Sequence, residues 1–165
     1  MSVRFFIFVA NHIMQKVLFV CLGNICRSPL AEGIVLHLKE KHNLDIEIDS
    51  AGTANYHIDE SPDRRTVLNA KKNGVDLSAL RARQFSASDF DRFDRIYVMD
   101  RSNLSNVLRL AKTKEHERKT KLLLDLIAPG KQMEVPDPYY GGEEGFENVF
   151  QLVLKACERL KEELG

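Results

Sequence analysis

Two residues of a short loop, Cys21 and Arg27, carry the chemistry that the sequence predicts most directly. The loop follows the apolar run Val17–Val20 and leads into a predicted helix that opens with Ser28-Pro29. A loop between a strand and a helix N-terminus offers backbone N–H groups and the positive end of the helix dipole to an anion. Such an environment with a nearby arginine favours the thiolate form of a cysteine. A guanidinium can hold two phosphate oxygens at once.

These features predict phosphoryl transfer through a covalent cysteinyl-phosphate intermediate. Within the loop, Gly23 allows a tight turn and Asn24 tolerates left-handed backbone angles. The Ser28 hydroxyl can donate a hydrogen bond to the Cys21 sulfur. An ATP-binding loop is excluded because no GxxxxGK[ST] pattern occurs. Besides Cys21 and Arg27, the predicted phosphate-binding loop contains Leu22, Gly23, Asn24, Ile25, Cys26 and Ser28.

The reaction also needs an acid that protonates the leaving oxygen and a base that later activates water. Asp137 is our first candidate, because it lies in a Pro- and Gly-rich loop with two tyrosines behind it and mobile loops often carry catalytic groups. Asp100 is the competing candidate, although its place before a helix also suits a helix cap. Three tyrosines could line a slot for an aromatic leaving group: Tyr56, Tyr139 and Tyr140. For Tyr140, ordinary packing within the loop is the alternative.

The elements around these residues predict one α/β domain. Ser28 is the expected cap of the first helix, Ser61-Pro62 opens a second that Gly74 closes, and Ser50 lies in a loop after the second strand. The final helix has a continuous apolar stripe from Phe146 to Leu164, in which Cys157 is a core residue. The four predicted strands are Val17–Val20, Ile46–Ile48, Arg95–Met99 and Lys121–Leu124.

Length, charge and cysteine content limit the class of protein. A chain of 165 residues fits a single domain, and 24 basic residues against 24 acidic ones favour neither nucleic acid nor an anionic membrane as partner. Three cysteines suit a reducing compartment, so we expect a cytoplasmic protein. The apolar run Phe5–Ala10 is too short to span a membrane. We expect residues 1–15 to be an N-terminal extension, with Met14 as an alternative start, and residues 16–165 to form the domain.

The same residues resemble a known family, the low-molecular-weight protein tyrosine phosphatases. The resemblance covers about residues 16–164 and leaves out only the extension. It is carried by five blocks in family order: Val17–Pro29, Asp49–Thr53, Arg81–Gln84, Val98–Asp100 and Asp137–Tyr140.

The resemblance implies a three-layer sandwich, in which helices flank a four-stranded parallel sheet and the phosphate loop joins strand 1 to helix 1. It implies Cys21 as nucleophile, Arg27 as phosphate clamp and Asp137 as general acid, then base. Asn24 and Ser50 would support the loop by a hydrogen bond, and Ser28 would stabilise the thiolate. No metal or cofactor is implied. The partner would be a phosphotyrosine-containing protein, and the chain a monomer or weak homo-oligomer.

Three further expectations rest on this resemblance. Leu80 stands where many relatives have a histidine, so the Asn24–Ser50 support is expected to be thinner or differently arranged. Cys26 could trap an oxidised Cys21 as a disulfide, or could simply be a small residue inside the loop. Ile25, together with Tyr139, favours phosphotyrosine over phosphoarginine. A phosphoarginine or small-metabolite phosphatase and a phosphotyrosine-binding protein without turnover remain as alternatives.

Overall fold

The computed structural model describes residues 13–165. The run Phe5–Ala10, and with it most of the predicted extension, lies outside that range. Within it, no helix combines the length and the apolar character needed to cross a membrane. In chain order the elements are β1 (Gln15–Cys21), α1 (Arg27–His42), β2 (Ile46–Gly52), α2 (Arg64–Lys72), α3 (Asp89–Arg92), β3 (Arg95–Val98), α4 (Arg101–Leu108), α5 (Lys114–Lys119), β4 (Thr120–Leu122), a 3₁₀ turn (Leu123–Leu126) and α6 (Glu143–Leu164).

The four strands form one parallel sheet in the order β2-β1-β3-β4, which confirms the predicted fold class. Strand β1 lies between β2 and β3, and its side chains alternate between the two faces of the sheet. Val17 and Phe19 join a core built with α1, α2 and α6. Leu18 and Val20 join a second core on the opposite face, with α3 and α4. Because both faces are covered, β1 is a continuous apolar run.

The register of β1 and β2 places the phosphate loop next to Ser50. Cys21, the last residue of β1, pairs with Gly52, and Phe19 pairs with Ser50. The prediction of Ser50 in a loop is therefore wrong, because the pairing with β1 extends β2 through Gly52. Gly52 must be small, since a Cβ there would lie 2.8 Å from the carbonyl oxygen of Leu22.

The predicted starts of two helices are also wrong. Helix α1 begins at Arg27 with Cys26 at the cap, because the Leu30 N–H already bonds to the Cys26 carbonyl at 3.3 Å. Ser28 therefore lies inside the first turn. Helix α2 begins at Arg64, and its cap is Asp63, whose carboxylate accepts from the Arg65 N–H at 2.8 Å. The predicted end of α2 is confirmed by Gly74, which has a φ of 80°.

The fourth strand is shorter than Lys121–Leu124. It ends at Leu122, and Leu123 and Leu124 turn into the 3₁₀ segment with both side chains fully buried against the first core. A short apolar run has no periodicity that separates a buried strand from a buried turn. The short helices α3 and α5 were not predicted from the sequence. Cys157 is fully buried on α6, as predicted.

Candidate active site

Cys21 lies at the carboxyl end of the central strand, where ligands bind in open parallel sheets. Its Sγ is 2.9 Å from the Ser28 Oγ and accepts from the Asn24 N–H at 3.3 Å. The displaced start of α1 leaves the Ser28 side chain free for this contact. The sulfur is thus surrounded by donors, which suits a thiolate.

The loop is held by hydrogen bonds from outside it. The carbonyls of Cys21, Leu22 and Ile25 accept from the N–H groups of Thr53, Ala54 and Asp63, at 2.9, 2.9 and 2.8 Å. Because these three carbonyls accept hydrogen bonds from residues outside the loop, their negative ends point away from an anion bound in the loop. Asn24 has a φ of 57°, the left-handed conformation that its residue type tolerates.

Behind the loop lies a buried network of polar side chains. Asn24 Nδ2 donates to the Ser28 Oγ at 2.8 Å and to the Ser50 Oγ at 2.9 Å, and the Asn24 Oδ1 accepts from the Arg83 N–H at 3.0 Å. The Ser50 hydroxyl donates to Glu32. The predicted contact between Asn24 and Ser50 is thus present despite Leu80, and the network continues to an acidic residue.

Glu32 is a buried carboxyl group whose ionisation the surroundings oppose. Burial raises the pKa of Glu32 to about 7, against the opposing effect of the Ser50 hydrogen bond. Of the charged neighbours, Asp49 raises this pKa further and Arg83 lowers it. Arg83 is itself held by Asp49 at 2.9 Å and by Asp89 at 3.0 Å.

Arg27 is buried and points from the first turn of α1 toward the cleft. Its Nη1 donates to Asp100 Oδ2 at 2.7 Å and to the Val135 carbonyl at 3.0 Å. Burial opposes the charge on Arg27, but the neighbouring Cys21 and Asp100 outweigh it, so the pKa of the guanidinium lies above its ordinary value. Asp100 also caps α4, accepting from the Asn103 N–H at 2.7 Å. Both of its oxygens are therefore engaged in structural contacts.

Asp137 lies across the cleft from the loop. Its Oδ2 is 3.6 Å from Arg27 Nη2, and its side chain is 45% exposed, against 21% for Asp100. The segment is anchored two residues earlier, where the Val135 N–H bonds to the Met99 carbonyl at 2.8 Å. Asp137 is thus held near the cleft with a carboxylate that solvent and substrate can reach.

A cleft of about 270 Å³ brings most of the predicted site residues together. Asn24, Ser28 and Ser50 lie behind it in the buried network. Tyr139 and Tyr140 pack edge to face at 5.1 Å between ring centres, and Arg65 lies 5.1 Å from the Tyr139 ring. The cleft is lined by Cys21, Leu22, Gly23, Ile25, Cys26, Arg27, Tyr56, His57, Asp137, Tyr139 and Tyr140.

Sequence reasoning missed two residues of this region. His57 lines the cleft, and its ring would lie 3.1 Å from a Cβ placed on Gly23. Its place directly after Tyr56 was the available signal. Glu32 lies four residues after Ser28, hence on the same face of α1. An acidic residue among the apolar residues of that face could have drawn attention to it.

Comparison with known proteins agrees with this geometry. Residues 16–165 match the family model for low molecular weight phosphotyrosine protein phosphatases. The phosphatase of that description from Schizosaccharomyces pombe is 46% identical over 142 residues, which are 84% of this chain and 90% of that protein. A protein tyrosine phosphatase structure from Entamoeba histolytica has a TM-score of 0.84 at 39% identity and covers 91% of this chain and 96% of its own. A Drosophila arginine phosphatase structure has a TM-score of 0.83 at 37% identity, covering 90% and 97%.

A parallel α/β sheet with a cysteine at the base of an anion-binding loop defines the class of cysteine-dependent phosphatases. Within that class, the chain belongs to the low molecular weight phosphotyrosine protein phosphatase family. The family resemblance drawn from the sequence is therefore confirmed, and the protein is an enzyme of the protein tyrosine phosphatase type.

Proposed function

We propose that this enzyme hydrolyses phosphotyrosine in proteins, with Cys21 as nucleophile, Arg27 as phosphate clamp and Asp137 as general acid and base. One observation supports these roles above the others. A single cleft of about 270 Å³ is lined by the Cys21 thiol, the Arg27 guanidinium and the Asp137 carboxylate, together with the aromatic side chains.

In the first step the Cys21 thiolate attacks phosphorus, and the bond from phosphorus to the tyrosyl oxygen breaks. Asp137, in its protonated form, gives its proton to the departing oxygen, so that tyrosine leaves as a neutral phenol. Ser28 donates a hydrogen bond to the sulfur before attack and when it later leaves. Arg27 balances the charge on the equatorial phosphate oxygens.

In the second step water hydrolyses the cysteinyl phosphate. Asp137 is now a carboxylate and takes a proton from the water as its oxygen attacks phosphorus. The sulfur departs as a thiolate, and inorganic phosphate is released. Arg27 keeps its orientation throughout, because Asp100 and the Val135 carbonyl both hold Nη1. Nη2 makes only the longer contact with Asp137, at 3.6 Å, and can turn to phosphate.

The aromatic rim supports a phosphorylated tyrosine as the substrate. Tyr56 and Tyr139 both line the cleft, and Tyr140, which also lines it, is 96% exposed. Their faces can pack on the phenyl ring of a substrate, at about 0.5–1.5 kcal/mol for each pair. Ile25 adds an apolar wall from within the loop.

Phosphoarginine remains the second candidate substrate, since a structural relative acts as an arginine phosphatase. Turnover of matched phosphotyrosine and phosphoarginine peptides decides between them. We expect kcat/KM to favour the phosphotyrosine peptide. A preference for phosphoarginine would overturn the proposed substrate class and leave the cysteine chemistry intact.

We also propose Cys26 as a redox partner: when peroxide oxidises the Cys21 thiolate to a sulfenic acid, the Cys26 sulfur attacks the Cys21 sulfur, and a disulfide forms as water leaves. Cys26 lies in the same loop and lines the same cleft. Burial raises the pKa of the Cys26 thiol to about 12, so this thiol is protonated at neutral pH while Cys21 reacts. Peptide mapping after brief peroxide treatment would show the Cys21–Cys26 disulfide, and its loss in Cys26→Ala.

The remaining expectations about the whole protein follow from this chemistry. A thiolate nucleophile needs a reducing compartment, which supports the cytoplasm as the site of action. A solvent-accessible cleft formed by one chain supports a monomer or weak homo-oligomer as the active form. The division into residues 1–15 and 16–165 stays a prediction, supported by the family match that begins at residue 16.

Replacing the nucleophile tests the proposed function. Cys21→Ser should abolish hydrolysis of p-nitrophenyl phosphate in the presence of EDTA, because a serine hydroxyl in this loop is not ionised. Cys157→Ser is the matched control, since Cys157 is fully buried in α6 far from the loop in the sequence. Activity that survives Cys21→Ser would contradict the mechanism. A wild-type protein that binds phosphopeptide without turnover would point to a binding function.

A further inference from the structure

A buried acidic residue behind the phosphate loop has no part in the mechanism given above. Glu32 is only 8% exposed and lies on α1, one turn after Ser28. Its hydrogen-bond partner is the Ser50 hydroxyl. Leu80, which packs against the first core, brings no charge to this region. Burying a carboxyl group costs free energy, so a buried one that is kept is expected to have a structural or functional role.

The direction of each hydrogen bond in the network follows from the Asn24 amide. The Arg83 backbone N–H can only donate, and it lies 3.0 Å from the Asn24 Oδ1. This contact fixes which end of the amide is oxygen. The Asn24 Nδ2 therefore donates both of its protons, one to each serine, at 2.8 Å to Ser28 and 2.9 Å to Ser50.

Each serine must then send its single hydroxyl proton elsewhere. Ser28 has the Cys21 sulfur at 2.9 Å, while its alternative acceptor, the Ala51 carbonyl, is farther away at 3.4 Å. Ser50 has Glu32 as its acceptor. The chain of bonds thus runs in two directions from Asn24, with Cys21 at one end and Glu32 at the other.

We propose that Glu32 is a positioning residue for the phosphatase reaction. It accepts a hydrogen bond from the Ser50 hydroxyl, which fixes the Asn24 amide, and this amide in turn points the Ser28 hydroxyl at the Cys21 sulfur. The inference rests on the proposed role of Cys21 as nucleophile. Without Glu32 as acceptor, the Ser50 proton is buried and unsatisfied, or the Asn24 amide turns over and loses Arg83. Either change weakens the donor that stabilises the thiolate.

The test measures the pH midpoint of Cys21 alkylation by iodoacetamide, followed by mass spectrometry of the Cys21 peptide. Glu32→Met removes the acceptor, and the midpoint should rise by about 0.5–1 pH unit, the equivalent of one hydrogen bond. Glu32→Gln keeps an acceptor oxygen and should restore the wild-type midpoint. Glu32→Ala, also without an acceptor, replaces the methionine variant if that one does not fold. Ile34→Val, a buried apolar change on the same helix, is the control.

A second arm asks whether Glu32 acts through Ser50. Ser50→Ala should raise the midpoint as Glu32→Met does, and the double variant should shift it no further than Ser50→Ala alone. An unchanged midpoint in Glu32→Met, an equal shift in Glu32→Gln, or additive shifts in the double variant would overturn the proposal. The alkylation midpoint measures the ionisation of the Cys21 thiol and does not depend on whether the enzyme turns over substrate. Failure of the proposed function would instead appear as activity in Cys21→Ser.

Discussion

Arg27 Nη1 lies 2.7 Å from the Asp100 carboxylate, and the two side chains are only 4% and 21% exposed. This ion pair orients the guanidinium before any substrate is bound. A phosphate group therefore meets a clamp whose geometry is already set, so little ordering is needed on binding. The pair also links the first turn of α1 to the start of α4, on opposite sides of the central sheet.

We predict that Asp100→Ala destabilises the fold and weakens substrate binding. Removing Asp100 takes the shortest hydrogen bond from the buried Arg27 guanidinium, while Asp137 and Cys21 still balance part of its charge, so we expect a cost of about 1.5–3 kcal/mol, the range for a hydrogen bond to a charged group. Urea unfolding should show that loss, and KM for p-nitrophenyl phosphate should rise in parallel. Thr113→Ala is the control, since it removes only the cap of α5 and should cost about 1 kcal/mol. Equal losses in the two variants would show that Asp100 acts as a cap alone.

Asp137→Asn should slow turnover according to the leaving group. Loss of a general acid costs about 10²–10⁴-fold where the leaving oxygen needs a proton, as in a phosphotyrosine peptide. With p-nitrophenyl phosphate, whose leaving group departs unprotonated, cysteine phosphorylation should be affected far less in single-turnover kinetics. Glu134→Gln, on the same loop and exposed, is the matched control. An equal slowing for both substrates would move the acid role away from Asp137.

The stability of the protein should depend on the ionisation of Glu32. The pKa of Glu32 is raised by burial from 4.5 to about 7, so the unfolded chain loses this proton first as pH rises. Its contribution to the free energy of unfolding is fully present below about pH 4.5 and should be lost by about pH 7, a change of about 3 kcal/mol. Glu32→Gln cannot ionise, so the difference between the two proteins in urea unfolding isolates this effect. A difference that is constant with pH would contradict the raised pKa.

Alkylation should distinguish the three cysteines. Burial raises the pKa of the Cys26 thiol to about 12 and raises that of Cys157 as well, so both are protonated at neutral pH. Limited iodoacetamide at pH 7 should therefore label Cys21 first, and inorganic phosphate should protect it. Peptide mapping gives the order of labelling. Cys26 labelled as fast as Cys21 would show that burial does not suppress its thiolate.

The sequence predicted the phosphate loop because its residues are contiguous. Cys21, Asn24 and Arg27 fall within one short segment between a strand and a helix, and their chemistry can be derived from spacing alone. Asp137 was harder, since more than a hundred residues separate it from the loop, and it lies 3.6 Å from Arg27 because the fold anchors its segment at Val135. The presence of four strands and of the final helix could be predicted from their apolar patterns, although the end of the fourth strand could not.

What could not be predicted depends on contacts across the sheet. Ser50 was assigned to a loop, because only the pairing with β1 extends β2 that far. Glu32 stands out as an acidic residue among apolar ones on α1, but its hydrogen bond depends on Ser50, which faces it from β2 and is 18 residues away in the sequence. The start of α1 at Arg27 depends on the hydrogen bond from the Leu30 N–H to the Cys26 carbonyl, which the capping preference of Ser28 does not predict.

Trapping the phosphorylated cysteine tests the central claim most directly. In Asp137→Ala, p-nitrophenolate can leave without an acid while hydrolysis lacks its base, so the intermediate should accumulate. Rapid quenching in denaturant at alkaline pH and mass spectrometry of the peptides should then find one phosphoryl group on Cys21. A phosphoryl group on another residue, or none while a burst of p-nitrophenol is observed, would contradict the covalent mechanism through Cys21.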